Sequence, residues 1–100
     1  MVRIQPMQVD GYQVLGVEVV LPKTNLLVVT TEKGYIMCGA LDIPLLNEKL
    51  AQRKIVAGRA VGVRTLEDLL QAPLEKVTIE AERQGIVPGM TGKEALVKML

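Results

Sequence analysis

The chain has no histidine, tryptophan or phenylalanine, one cysteine and two tyrosines among its 100 residues. Without an imidazole no papain-like dyad can form, and a nucleophilic cysteine would have to work through a depressed pKa or a neighbouring carboxylate. One thiol can neither close an internal disulfide nor gather zinc, so only an all-oxygen metal site would remain, and neither a metal nor a cofactor is expected. Two tyrosines leave almost nothing on which to stack bases. Twelve basic against eleven acidic residues leave a formal charge of +1, which sets up no field to attract nucleic acid or an acidic membrane surface. Long apolar runs are missing too. The stretch Val14 to Leu21 is interrupted by Glu18 and is far short of a bilayer span, and Met1-Val2-Arg3 leads into no signal-peptide segment. The expectation is a soluble cytoplasmic protein with no nucleic-acid and no membrane partner.

What the chain does have is apolar residues, at 49% of the total. A chain of this length makes one domain, residues 1–100, able to bury a core without disulfides or a structural metal. A hydrophobic fraction this high in so small a body leaves apolar side chains outside the core, which points to a homo-oligomer.

The first third alternates and is rich in β-branched residues, predicting strands over Val2 to Val9, Tyr12 to Leu21 and Leu26 to Thr31, separated by Asp10-Gly11 and Pro22-Lys23-Thr24-Asn25. Glu32-Lys33-Gly34 turns the chain into a fourth strand, Tyr35 to Cys38. The second strand carries Tyr12, Val14, Glu18 and Val20 on one face and Leu15, Val17, Val19 and Leu21 on the other, so both faces need cover: helices on one, a partner subunit on the other.

Beyond Cys38 the period changes. Asp42 is placed to cap a helix running to near Arg53, Ile55 to Val63 returns to strand, and Thr65 with Asp68 opens a helix carrying Leu66, Leu69 and Leu70. Pro73 breaks that helix, Leu74, Val77 and Ala81 predict another reaching Gly85, and Thr91-Gly92-Lys93-Glu94 is a capping box for the last. The fold class is α+β: a two-layer sandwich of a mainly antiparallel sheet of about five strands with helices packed on one face.

A shift of 23 residues superposes Gly39 on Gly62, Asp42 on Thr65 and Leu46 on Leu69. Read as two strand-glycine-cap-helix units, it matches Ile36 with Arg59 and Cys38 with Val61, so that Cys38 and Arg59 project from the same sheet face. Cys38, just before Gly39 and a helix start, is the candidate nucleophile, with Arg59 favouring its thiolate; the opposing reading is a small buried hydrophobe. Ala57-Gly58-Arg59-Ala60-Val61-Gly62-Val63-Arg64-Thr65 joins glycines, two arginines and a helix start, ingredients for holding a phosphate or carboxylate, although its spacing is neither a P-loop nor a dinucleotide fingerprint. The opposing reading has the glycines admit a close helix and the arginines pair with carboxylates. Lys23, Thr24 and Asn25 form a polar loop suited to a ligand or simply to a turn.

Those segments resemble the YunC-like family of small bacterial and archaeal proteins, a domain of unknown function. The likeness covers nearly the whole chain and is carried by Leu21-Pro22-Lys23-Thr24-Asn25-Leu26-Leu27, Gly34-Tyr35-Ile36-Met37-Cys38-Gly39-Ala40-Leu41-Asp42, Leu45-Leu46-Asn47-Glu48-Lys49-Leu50, Ala57 to Thr65, and Gly89-Met90-Thr91-Gly92-Lys93-Glu94-Ala95-Leu96. The resemblance implies a compact two-layer α+β fold and no particular activity.

These residues support three readings of function. The first is a small anionic ligand held by Lys23, Thr24, Asn25, Gly39, Arg59, Gly62, Arg64 and Thr65 beside Cys38. The second is a structural or protein-interaction subunit without ligand chemistry. The third is an enzyme using Cys38, with backbone N–H groups after Gly39 or Gly62 receiving a developing oxyanion. Whether the protein is an enzyme stays open at this level.

Overall fold

A computed structural model describes residues 1–100. Six strands form one sheet in sequential order: β1 (Val2–Val9), β2 (Tyr12–Leu21), β3 (Thr24–Thr30), β4 (Tyr35–Met37), β5 (Ala57–Arg59) and β6 (Lys76–Val77). Neighbours are antiparallel except β4 and β5, which run parallel. Four short helices complete the fold: α1 (Ile43–Glu48), α2 (Leu66–Gln71), α3 (Ile79–Arg83) and α4 (Gly92–Val97). The fold is α+β, with an open, mostly antiparallel sheet.

Alternation decides the layers. Val14, Leu27, Val29 and Ile36 project from one face and are sealed by Leu69 and Leu70 of α2, Ala81 of α3 and Ala95 and Leu96 of α4. Two glycines let the helices come close: a Cβ on Gly16 would meet Met7 and Leu66, and one on Gly92 would meet the Leu69 carbonyl and Ile36. Each helix begins where a side-chain oxygen accepts a backbone N–H of its first turn: Asp42 from Leu45, Thr65 from Asp68, Thr78 from Ala81, and Thr91 from Glu94 in a complete capping box.

Four details depart from the expectation. The helix after Asp42 ends at Glu48 and a 3-10 turn, Ala51–Arg53, comes next. It packs on the opposite face from the other helices, where Leu41, Ile43 and Leu46 cover Ala57 beside Tyr35 and Met37. The helix expected over Leu74 to Gly85 splits into β6 and α3. Its start is the hydroxyl of Thr78, which donates to the Ile55 carbonyl at 2.6 Å while accepting the N–H groups of Ala57 and Ala81, tying the strand end to the helix cap. The fifth strand is also shorter than the expected Ile55 to Val63, because the chain turns away after Ala60 and Gly62 takes φ +75°.

On the face opposite the main core, β1 to β3 are uncovered. Register puts Val2 against Val19, Ile4 against Val17, and Pro6 against Leu15, with Val17 facing Val28 and Val19 facing Leu26 on the other side. Ile4 and Val2 are 65% and 60% exposed, Leu15 and Leu21 are also exposed, and Val17, Val19, Leu26 and Val28 are half-buried. The rest of this face on the three strands is Gln8, Gln13, Thr24 and Thr30, so no charged residue lies on it. No helix is long and apolar enough to cross a membrane.

Candidate functional site

The loops singled out in the sequence gather at one end of the sheet. The β2–β3 turn, the exit of β4 and the exit of β5 meet there because β4 runs against β3 and alongside β5. The carboxyl ends of parallel strands are a common place for ligands in α/β sheets, which makes this end the first to inspect.

The register overturns the pairing of Cys38 with Arg59. Tyr35, Ile36 and Met37 lie opposite Ala57, Gly58 and Arg59, an offset of 57 − 35 = 22 residues. An even offset differs by one from the 23 of the apparent repeat, and one residue reverses the face of every side chain. Cys38 therefore follows Ile36 into the main core, 7% exposed, whereas Arg59 lies with Met37 on the other side. There its Nη1 donates to the Leu41 carbonyl at 3.0 Å and its Nη2 pairs with Glu75, the first residue before β6; its Nε is buried without a partner. The shared Cys38–Arg59 pocket is absent.

Around the sulfur the structure assembles a different set. The N–H of Leu27 points at Cys38 Sγ from 3.4 Å, and Sγ lies 4.0 Å from the Asn25 carbonyl. Asn25 Nδ2 donates to Glu18 Oε2 at 3.2 Å, and Arg3 Nη1 stands 3.7 Å from Glu18 Oε1. The mid-strand carboxylate is thus explained by an arginine and an amide at the edge of the helical layer. Neither partner was visible in sequence, because each depends on strand register. The pair is partly exposed, with Arg3 64% accessible, and so contributes at most about 1 kcal/mol.

The remaining predicted residues lie on the turns and loops of the same end. Lys23 occupies the tight turn with φ +64°, exposed, and Thr24 faces Leu21 beside it. Gly39 lies near Val61, and Gly62 has open space around its Cα. The backbone N–H of Arg64 donates to Asp68, and Thr65 is occupied as the cap of α2. A depression of about 120 Å³ is found elsewhere, between α1 and α3, lined by Leu46, Asn47, Ile55, Thr78, Ile79 and Arg83 among others. It shares no residue with the expected site, and neither does a larger, shallower depression of about 490 Å³ between β1 and α2 lined by Gln5, Met7, Glu67, Gln71 and Lys93 among others.

Two titrating groups shift, both away from this end. Burial raises the Tyr35 phenol, and the Thr91 N–H and hydroxyl hold the Glu94 carboxyl below its ordinary value of 4.5. No three carboxylate or thiol side chains converge to form a ready metal cage.

Comparison with known proteins gives consistent matches. The family described as "Domain of unknown function (DUF1805)" matches residues 37–99. The chain is 59% identical over 100 residues to the "Uncharacterized protein YunC" of Bacillus subtilis (strain 168), an alignment covering 100% of this chain and 99% of that protein. Its fold is similar, with a TM-score of 0.88 and 31% identity, to the crystal structure of a protein of unknown function from Thermoplasma acidophilum, covering 100% of this chain and 94% of that one.

Proposed function

Because the chain belongs to the DUF1805 family of domains of unknown function, its role has to be read from its own residues, and we propose that it works as a protein-interaction domain. Its working surface is the open face of β1 to β3. The observation that carries this reading is that face itself: apolar side chains from three adjacent strands, without one charge among them, lie uncovered beside a core the helices close completely. Patches of this kind mark interaction surfaces on soluble proteins.

The chemistry of the opposite end supports the same choice. The thiol is packed among Leu27, Ala60 and the rest of the core, and the arginine expected to activate it is committed to Leu41 and Glu75 on the far face. A buried thiol without a base or a cation beside it behaves as a small hydrophobe.

An amphiphilic dye such as anilinonaphthalene sulfonate tests the reading on the full chain. At low micromolar protein it should bind and fluoresce, and Val17→Lys, in the middle of the face, should abolish most of that signal while circular dichroism stays native. A dye signal unaffected by Val17→Lys, in a protein whose scattered mass also ignores the substitution, would overturn it.

A further inference from the structure

We infer that the occupant of the open face is a second copy of this chain, seated face to face about a two-fold axis near Val17. This rests on the reading of β1 to β3 as an interaction surface and adds the partner's identity.

Charge argues first. In a two-fold contact every residue near the axis meets its own copy, so a charge there faces a like charge. The face avoids this. Its centre is Val17, flanked by Ile4 and Val28, and its rim is the neutral set Gln8, Gln13, Thr24 and Thr30. The charges of β1 and β2, Arg3 and Glu18, pair with each other on the other side. A basic or acidic partner would find nothing here to pair with, whereas an identical uncharged face brings no repulsion.

Size argues next. Strands of 8, 10 and 7 residues make a surface roughly 25 Å long and about 14 Å wide, at about 3.3 Å per residue and 4.8 Å per strand. That is roughly 350 Å² in projection, already within the range of the largest patch on an ordinary monomer. Two such faces give roughly 700 Å² in projection, the size of a weak contact that forms only as concentration rises. Two twisted sheets of the same hand stack about 10 Å apart with strands nearly aligned, and Val, Ile and Leu side chains interdigitate in that gap.

The fold disfavours the other way of joining two sheets, edge to edge. Met1 and Val20 exchange both backbone bonds, at 2.7 and 3.2 Å, so alternate residues Val2, Ile4, Pro6 and Gln8 aim their backbone groups outward from edge strand β1. Pro6 has no N–H and breaks that row in its middle. On the far side, the layer built from Leu41, Ile43 and Leu46 over β4 and β5 stands up from the sheet as a wall. A second sheet can approach only over β1 to β3.

Sedimentation velocity of the full chain from about 1 to 500 µM tests this. The mass should rise with concentration from 10.9 kDa to twice that value. Val17→Lys should weaken the association by at least roughly 100-fold, because it sets like charges against each other across a dry contact. Ile4→Glu is a second probe, at a site exposed enough (65%) to leave folding intact, and Val87→Lys, exposed but off the face, should change nothing. A wild-type mass fixed at 10.9 kDa while the dye still reports the face would overturn the second copy and leave the interaction domain standing. A dimer indifferent to both Val17→Lys and Ile4→Glu would place the contact elsewhere and overturn the inference as well.

Discussion

Val28 and Val29 are neighbours in one strand, equal in chemistry, and opposite in fate. Val29 is fully buried under α2 and α4, and Val28 looks out from the uncovered side. Across β1 to β3 both faces are apolar, yet the helices that reach these strands, α2 and α4, lie on only one of them. The strands themselves do not make the difference; the connections between them do. Residues 60 to 100 supply α2 and α4, seated closely at Gly16 and Gly92, and α3 beside β5, whereas the β4–β5 connection supplies α1 only over β4 and β5. Equal hydrophobicity on two faces therefore says that both need cover without saying that one chain provides it.

Substitutions that break this asymmetry rank by the amount of core they touch. The largest loss is expected for Leu69→Ala, a fully buried α2 side chain of the covered face, which should cost about 2–5 kcal/mol in urea unfolding. Next comes the matched pair measured in dilute solution. Val29→Ala should lose about 2 kcal/mol, while Val28→Ala, half-buried on the other face, should lose at most about 1 kcal/mol; equal losses would mean that a single chain already covers both faces.

A smaller effect separates the faces by pH. Thr91→Ala removes the cap of α4 and should cost about 1 kcal/mol near neutrality. The Glu94 carboxyl of that cap is lowered in the folded state, so its contribution is complete above the ordinary value of 4.5 and is lost as pH falls through the lower folded value. Thr91→Ala keeps the backbone N–H of residue 91, the main cause of the lowering, so it should lose only the hydroxyl's share of this acid sensitivity, whereas Glu94→Gln should remove all of it from the stability–pH curve. The open face carries no titratable side chain, so a self-association that weakened over the same acid range would contradict the composition assigned to it.

Much of this is legible in the residues alone. The first two strands, the caps at Asp42, Thr65 and Thr91, and the two-sided apolar character of β2 are local signals, each set by alternation or by one side chain and its nearest backbone. The failures are nonlocal. Whether Arg59 shares a face with Cys38 depends on the β4–β5 register, which is set by how the connection from 38 to 56 packs, and a one-residue error inverts it. Leu74, Val77 and Ala81 fit a helical period, and only the three bonds of Thr78 show why the chain is extended there first. The partners of Glu18 likewise come from two other strands. Of the candidate site, the loops are legible and the opposite facing of Cys38 and Arg59 is not.

Methyl NMR with a soluble paramagnetic agent reads the central claim most directly, because it reports each face separately in the same sample. At low micromolar concentration the methyls of Val17 and Val28 should broaden strongly while those of Val14 and Val29 do not, and at high concentration Val17 and Val28 should become protected too. Methyls of Val17 and Val28 that stay equally accessible at every concentration would contradict a second copy closing the face, and protection already complete in the dilute monomer would contradict an open face at all.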